Sequence, residues 1–148
     1  YTTLFRSLNW VQLMNAYTCT ECGRCTSSCP ANQTGKKLSP RKIMMDTRDR
    51  IEEVGKNIDA NKGIFVPDNK SLLNDYITPE ELWACTSCNA CVEECPVNIS
   101  PLSIIMDMRR YLVMEQSAAP MSLNAMMTNI ENNGAPWQYN QQDRGIFI

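Results

Sequence analysis

No histidine occurs anywhere in the 148 residues. That single absence excludes haem ligation by histidine, mixed cysteine–histidine zinc sites, Rieske centres and every imidazole acid or base. Long apolar runs are missing too. The longest, around Ile104 to Met106, falls far short of the roughly twenty residues that cross a bilayer and is flanked by charge, so the chain as read is expected to be soluble. Positive charge is not in excess. Fourteen Lys and Arg stand against 16 Asp and Glu, giving a net charge of −2 with no basic stripe, which argues against a nucleic-acid partner. Alternation at period two is also absent, so helix and loop are expected rather than strands. No nucleophile is patterned with a base, and an independent catalytic site is not expected. At this length a single domain spanning 1–148 is expected, because two halves would each be hard to stabilise by burial alone. The chain carries no secretory signal and begins at Tyr1 rather than methionine, as expected of a piece cut from something longer.

What the sequence has is cysteine in an unusual arrangement. All eight lie in two copies of one pattern, CTECGRCTSSCP from Cys19 to Pro30 and CTSCNACVEECP from Cys85 to Pro96. Within each copy they fall at i, i+3, i+6 and i+10, and proline follows the last. Disulfide scaffolds spread their cysteines to tie distant segments together, whereas this spacing piles thiols onto one small loop, as a metal site in a reducing compartment does.

The repeat extends beyond the cysteines. Omitting five residues within 33–38 of the first copy brings Ser39-Pro40 onto Ser100-Pro101, Ile43 onto Ile104, Asp46 onto Asp107 and Arg48 onto Arg109. The unit is a cysteine loop followed by a helix. Ser39 and Ser100 are N-caps, and Pro40 and Pro101 take the first helical position, where a missing N–H costs nothing. Apolar residues follow at helical spacing: Ile43, Thr47, Ile51 and Val54 in the first copy, and Leu102, Ile105 or Met106, Met108 and Leu112 in the second. A short helix over about 9–17 leads into the first loop, and a helix started by Thr78-Pro79-Glu80-Glu81 leads into the second. A last helix is expected from Ser122 to about Asn132, stopped by Gly134 and Pro136, within a C-terminal helix and tail spanning 118–148. Residues 55–77 are polar and rich in turn formers, with a small apolar island at Ile64, Phe65 and Val66, and are expected to form a long surface connection.

Thiolates are soft, strong ligands, and a tight loop can present three of them to three corners of an iron–sulfur cube. In the C-x2-C-x2-C-x3-C-P run, the fourth cysteine of two-cluster ferredoxins ligates the other cluster. With two copies the arrangement closes. Cys19, Cys22, Cys25 and Cys95 are expected to hold one [4Fe–4S] cluster, and Cys85, Cys88, Cys91 and Cys29 the second. Two structural zinc sites are the alternative, although zinc asks only for C-x2-C pairs and gives no reason for a cysteine at i+6 or a Cys-Pro ending. Gly23, Ser27, Ser28, Ser87 and Ala90 are small enough to let backbone N–H groups approach the sulfurs, or they serve simply as turn formers. Each oxidised cubane with its thiolates carries about −2, taking the loaded protein to about −6. Lys36, Lys37, Arg41 and Lys42 then form the main positive patch, open to docking an acidic partner, to lipid headgroups, to cluster-charge compensation or to plain solvation. Arg109 and Arg110 read as partners of their helix dipole. The methionines, among them Met44, Met45, Met106 and Met108, read as core filler, with Met126-Met127 also suited to an adaptable surface.

At these residues the chain resembles a known family. YTCTECGRCTSSCPA followed by TGKKLSPRK, and CTSCNACVEECPV followed by a helix opening on Ser-Pro, are similar to the all-α module called α-helical ferredoxin. Its members include the C-type subunit of heterodisulfide reductase, the iron–sulfur subunits of glycerol-3-phosphate and glycolate oxidoreductases, and the C-terminal half of the succinate dehydrogenase iron–sulfur subunit. The similarity runs from Trp10 to about Met114, and the 55 residues between Cys29 and Cys85 suit the helical module better than the compact βαβ ferredoxin. NNGAPW, from Asn132 to Trp137, resembles the segment that adjoins cysteine-rich CCG domains in such reductases. No CCG motif stands in this chain, so the resemblance implies an electron relay rather than a disulfide-reducing site. It further implies a CCG-domain reductase subunit as partner, a flavoprotein as a second, and a quinone or haem pathway. Transmembrane helices upstream of Tyr1 would hold the domain at the cytoplasmic face of the inner membrane. A freely diffusing two-cluster ferredoxin and a zinc-binding interaction module remain as the other functions.

Overall fold

Helix starts are where the sequence speaks most directly. The computed structural model describes residues 8–138 together with 140, 142 and 145. In it Asn9 caps α1 (Trp10–Thr18) through a reciprocal capping box with Gln12, and Thr78 does the same with Glu81 for α5 (Pro79–Ala84). Ser39 caps α4 (Pro40–Ala60) by accepting from the Lys42 N–H at 3.3 Å, and Ser100 caps α7 (Pro101–Met114) through the Ser103 N–H at 3.2 Å. Between these lie three single turns: α2 (Arg24–Ser27), α3 (Pro30–Gln33) and α6 (Ala90–Glu93). A final helix, α8, spans Met121–Asn133 and ends on Gly134, whose φ of 65° makes the left-handed turn that glycine accepts without strain. Among the described residues an isolated bridge between Leu73 and Ile77 is the one trace of β pairing. The protein is all-α.

The chain forms two compact units, Tyr1–Tyr111 and Leu112–Ile148, with the division inside the last turn of α7. The first unit contains both cysteine loops. Its core is drawn from α4 (Ile43, Met44, Thr47, Val54), from α7 (Ile104, Ile105, Met108), and from Ala16, Leu38, Leu72, Leu73, Ile77, Leu82 and Ile99. Fully burying one such aliphatic side chain stabilises the fold by about 1.5–3 kcal/mol. In the second unit the Ala118 N–H donates to the Leu112 carbonyl at 2.9 Å, and α8 has no buried residue. The end of the tail, 143–144 and 146–148, and the first seven residues, Tyr1 included, lie outside the described residues.

Three expectations are corrected. Helix α4 does not stop near Gly55 but runs on to Ala60. A helical glycine costs roughly 1 kcal/mol relative to alanine, and tertiary ties outweigh that here. Asn57 exchanges hydrogen bonds with the Val66 backbone at 2.9 and 3.0 Å, so the returning chain is stitched to the end of the helix. The connection is also not wholly superficial. Leu72, Leu73 and Ile77 are buried, held by Ile77 N–H to Leu72 O at 3.0 Å and Asn74 N–H to Ile77 O at 2.9 Å, while the expected apolar island leaves Ile64 70% exposed. Finally, the inner face of α4 uses Arg50 where Ile51 was expected. The Arg50 guanidinium is buried and donates to both Asp68 carboxylate oxygens at 2.5 and 2.8 Å and to the Lys70 carbonyl at 2.8 Å.

Candidate iron–sulfur site

The two cysteine loops share one backbone course. Cys19 and Cys85 are the extended C-cap residues of α1 and α5, with φ/ψ of −63°/119° and −69°/127°. Two residues on, Glu21 and Ser87 are left-handed, and so are Gly23 and Asn89 after a further two. The turns that follow match bond for bond. Thr26 and Ser27 N–H groups donate to Gly23 O as Val92 and Glu93 donate to Asn89 O, and the Cys29 N–H donates to Thr26 O as the Cys95 N–H does to Val92 O, both at 3.2 Å. Left-handed residues alternating with right-handed ones turn successive N–H groups to the same side, a concavity that suits anions and iron–sulfur centres. An example is the Ser87 N–H, which donates to the Cys85 sulfur at 3.4 Å.

Tertiary packing brings the loops together. The turns α2 and α6, which carry Cys25 and Cys91, pack on each other. One cavity is lined by Cys19, Cys22 and Cys25 of the first motif and by Cys95 of the second, with Gly23, Arg41, Met44, Ile99 and Pro101 completing much of the wall. Cys29 and Cys91 are the two buried thiols. Burial pushes the Cys91 thiol up to about 11, and the neighbouring Cys85, Cys25 and Cys29 sulfurs push in the same direction. Burial likewise raises Cys25, with Cys19 and Cys22 contributing. Cys88 is drawn down by the Ala90 N–H and the Thr86 hydroxyl. Cys25 therefore responds to two thiols of its own motif, and Cys91 to one of its own motif and two from the other. All eight cysteines are free thiols.

The donor set fits iron–sulfur cubanes. A cubane puts each of four thiolates on a different iron, so sulfurs spread around a cavity suit it, as does a lining of apolar side chains and converging N–H groups. Loading such a site displaces the thiol protons, because thiolate is the ligand form. Once bound, the clusters supply one-electron chemistry, and the protein supplies their spacing, solvent exclusion and hydrogen bonding to sulfur.

Several residues acquire roles that sequence reasoning missed. Arg109, read as a dipole partner, reaches out of α7 to the end of α5, donating to the Leu82 carbonyl at 2.6 and 3.0 Å and to the Cys85 carbonyl at 2.5 Å. Its guanidinium also lies 5.0 Å from the Trp83 ring centroid. Its repeat mate Arg48 pairs with Glu21 in the first loop. The alignment of Arg48 with Arg109 was the available signal, since the same arginine in both copies serves the loop of its own copy. Half of the positive patch is paired: Lys37 with Glu80 at 2.9 Å, and Lys42 with Asp46 at 2.8 Å and Glu81 at 2.9 Å. Arg41 instead stands at the wall of the first cavity.

The fold and this site define an all-α protein that houses two iron–sulfur clusters. Residues 18–99 match the family described as the 4Fe-4S dicluster domain, and the chain belongs to that family. It carries two [4Fe–4S] clusters, and its function is electron transfer within an oxidoreductase system. Among its relatives is FadF of Bacillus subtilis, described as a probable iron-sulfur-binding oxidoreductase, 36% identical over 90% of this chain and 23% of that protein. A protein of Chromohalobacter salexigens described as a probable membrane-anchored ferredoxin is 36% identical over 75% of this chain and 18% of its own length. A third is the C-type subunit of the ferredoxin/F(420)H(2)-dependent CoB-CoM heterodisulfide reductase of Methanosarcina acetivorans, 33% identical over 72% of this chain and 52% of that subunit. The chain thus spans less than a quarter of the first two relatives and about half of the third. No helix among the described residues is long and apolar enough to cross a membrane.

Proposed function

We propose that this domain relays single electrons inside a larger, membrane-associated oxidoreductase of the heterodisulfide-reductase type. In this reading Cys19, Cys22, Cys25 and Cys95 hold one cluster, and Cys85, Cys88, Cys91 and Cys29 hold the other. The observation that carries it is the cavity shared by the first three cysteines of one motif and the last cysteine of the other. The buried position of Cys29 and its electrostatic influence on Cys91 support the second set. The partners are protein redox partners, a CCG-domain reductase subunit on one side and a flavoprotein on the other. The domain sits at the cytoplasmic face of the inner membrane, held there by a segment preceding Tyr1. The name of the membrane-anchored ferredoxin supports the membrane association, and that of the heterodisulfide reductase subunit supports the type of oxidoreductase.

Ligand substitution tests the assignment. In Cys29→Ser, anaerobically reconstituted and reduced, the electron paramagnetic resonance signal of the cluster bound mainly by the second motif should change or vanish while the other persists. Loss confined to the cluster of Cys19, Cys22 and Cys25 sinks the cross-ligation. Iron analysis of the parent protein should return about eight irons per chain, the content of two cubanes.

A further inference from the structure

The two halves repeat in backbone but not in charge. Between Cys19 and Arg48 there are six cations and two carboxylates; between Cys85 and Arg109 there are one cation and three carboxylates. Half of the first-copy cations are spent locally, Lys37 on Glu80, Lys42 on Asp46 and Glu81, and Arg48 on Glu21. Arg41 makes no ion pair among the described residues and lines the same cavity as Cys19, Cys22, Cys25 and Cys95, where the carboxylate of Glu21 is already paired with Arg48. The Arg41 guanidinium lies beside Gly23, 3.9 Å from where a Cβ at that position would stand, an ordinary van der Waals distance. The Arg41 N–H also donates to the Thr26 hydroxyl at 3.3 Å, tying the start of α4 to the residue after Cys25. In the second copy the position of Arg41 is Leu102, that of Arg24 is Ala90, and Glu93 and Glu94 stand where the first copy has Ser27 and Ser28.

From this asymmetry we infer that Arg41 sets the order of the two redox potentials, making the cluster beside Cys19, Cys22 and Cys25 the higher of the pair. Adding one electron makes a cubane and its thiolates more negative by one charge. A fixed cation at the cavity wall favours that state, and the second copy has Leu102 in its place. The first electron delivered to the oxidised protein therefore rests on the first-motif cluster, and the second-motif cluster fills only at lower potential. Arg41 acts here as a tuning residue, touching no substrate and holding no iron. Because the side chain is exposed, salt screens its contribution.

This inference rests on the ligand partition proposed above, and the test keeps the two apart. The holoprotein is titrated anaerobically with dithionite in the presence of redox mediators, while electron paramagnetic resonance follows each cluster. Cys29→Ser and Cys95→Ser assign the signals. In Arg41→Gln the midpoint of the first-motif cluster should fall by up to a tenfold change in its reduction equilibrium, about 59 mV for one electron, with the other cluster nearly unmoved. Arg41→Lys should keep most of the separation, and raising the salt concentration should shrink the difference between parent and Arg41→Gln. Leu102→Arg supplies the converse, raising the second-motif cluster and narrowing the gap, and it carries the test alone if Arg41→Gln fails to load iron. Unchanged midpoints in both variants, or a shift confined to the other cluster, overturn the role of Arg41. A misassigned ligand set would show instead in which signal the two cysteine variants remove.

Discussion

Replacing Arg109 with alanine should loosen the second cluster loop far more than the first. In the parent protein its guanidinium satisfies two carbonyls at the open end of α5, those of Leu82 and of the ligand candidate Cys85, and lies against Trp83. A hydrogen bond to a charged group is worth about 1.5–3 kcal/mol net, and a partly exposed cation–π contact about 0.5–1 kcal/mol. Arg109 is half-buried and its bonds share one side chain, so a plain sum overstates the effect. About 3 kcal/mol is the working figure, which is more than a hundredfold in an equilibrium constant at 1.4 kcal/mol per decade. The loss falls on the anchoring of Cys85, so the expected outcome is a protein that retains one cluster and loses the other from a large fraction of molecules. Iron and sulfide content should drop toward half, and electron paramagnetic resonance of the reduced protein should show the first-motif signal without its partner. Arg109→Lys keeps the charge but reaches only one carbonyl at a time, and should fall between parent and alanine. Equal loss of both clusters, or preferential loss of the first, would refute the argument that Arg109 acts through its own loop.

Other outcomes follow from the same geometry. Thr78→Ala removes the cap of α5, where the Thr78 hydroxyl and N–H engage Glu81, and should cost about 1 kcal/mol, or roughly 2–4 °C in the thermal midpoint of the holoprotein. The Arg50 guanidinium beside Asp68 pulls its carboxyl down to about 2. A carboxylate whose folded value lies below its unfolded value of 3.8 contributes stability that is fully present above about pH 4 and is lost as pH falls toward 2. The advantage of the parent over Asp68→Asn, on the order of 1–2 kcal/mol for this partly exposed group, should therefore be flat from pH 7 to about 4 and shrink below that, read as the difference in urea midpoint at each pH. Stripping iron anaerobically with a chelator should release the packing of α2 on α6 and lower helical circular dichroism, with recovery on reconstitution; unchanged ellipticity would mean that the fold stands without its metals.

Much of this was legible from short-range rules. Capping side chains, proline at the first helical position and apolar spacing marked the starts of α1, α4, α5 and α7, because those signals act within one turn of chain. Where α4 ends was not legible. Gly55 is an unfavourable helical residue, and only the bonds from Asn57 to the returning Val66 backbone make the extra turn worthwhile. Arg50 was invisible for a related reason: an arginine on the inner face of a helix reads as a break in the apolar stripe until Asp68 and the Lys70 carbonyl arrive from eighteen and twenty residues away to satisfy it.

The sequence by itself determined the chemistry: eight thiols in two copies of one spacing, no histidine to compete for metal, and capping and proline signals that start the helices around both loops. These are properties of a few adjacent residues, so no long-range folding is needed to specify them. Only the tertiary structure decided which charges face the thiols. Lys37 and Lys42 are drawn off by carboxylates of α5 and α4, Arg109 is turned back onto the carbonyl of Cys85, and Arg41 is left at the cavity wall beside Cys95. Electrostatic influence depends on distance through space, and distance between residues far apart in the chain exists only once the chain has folded.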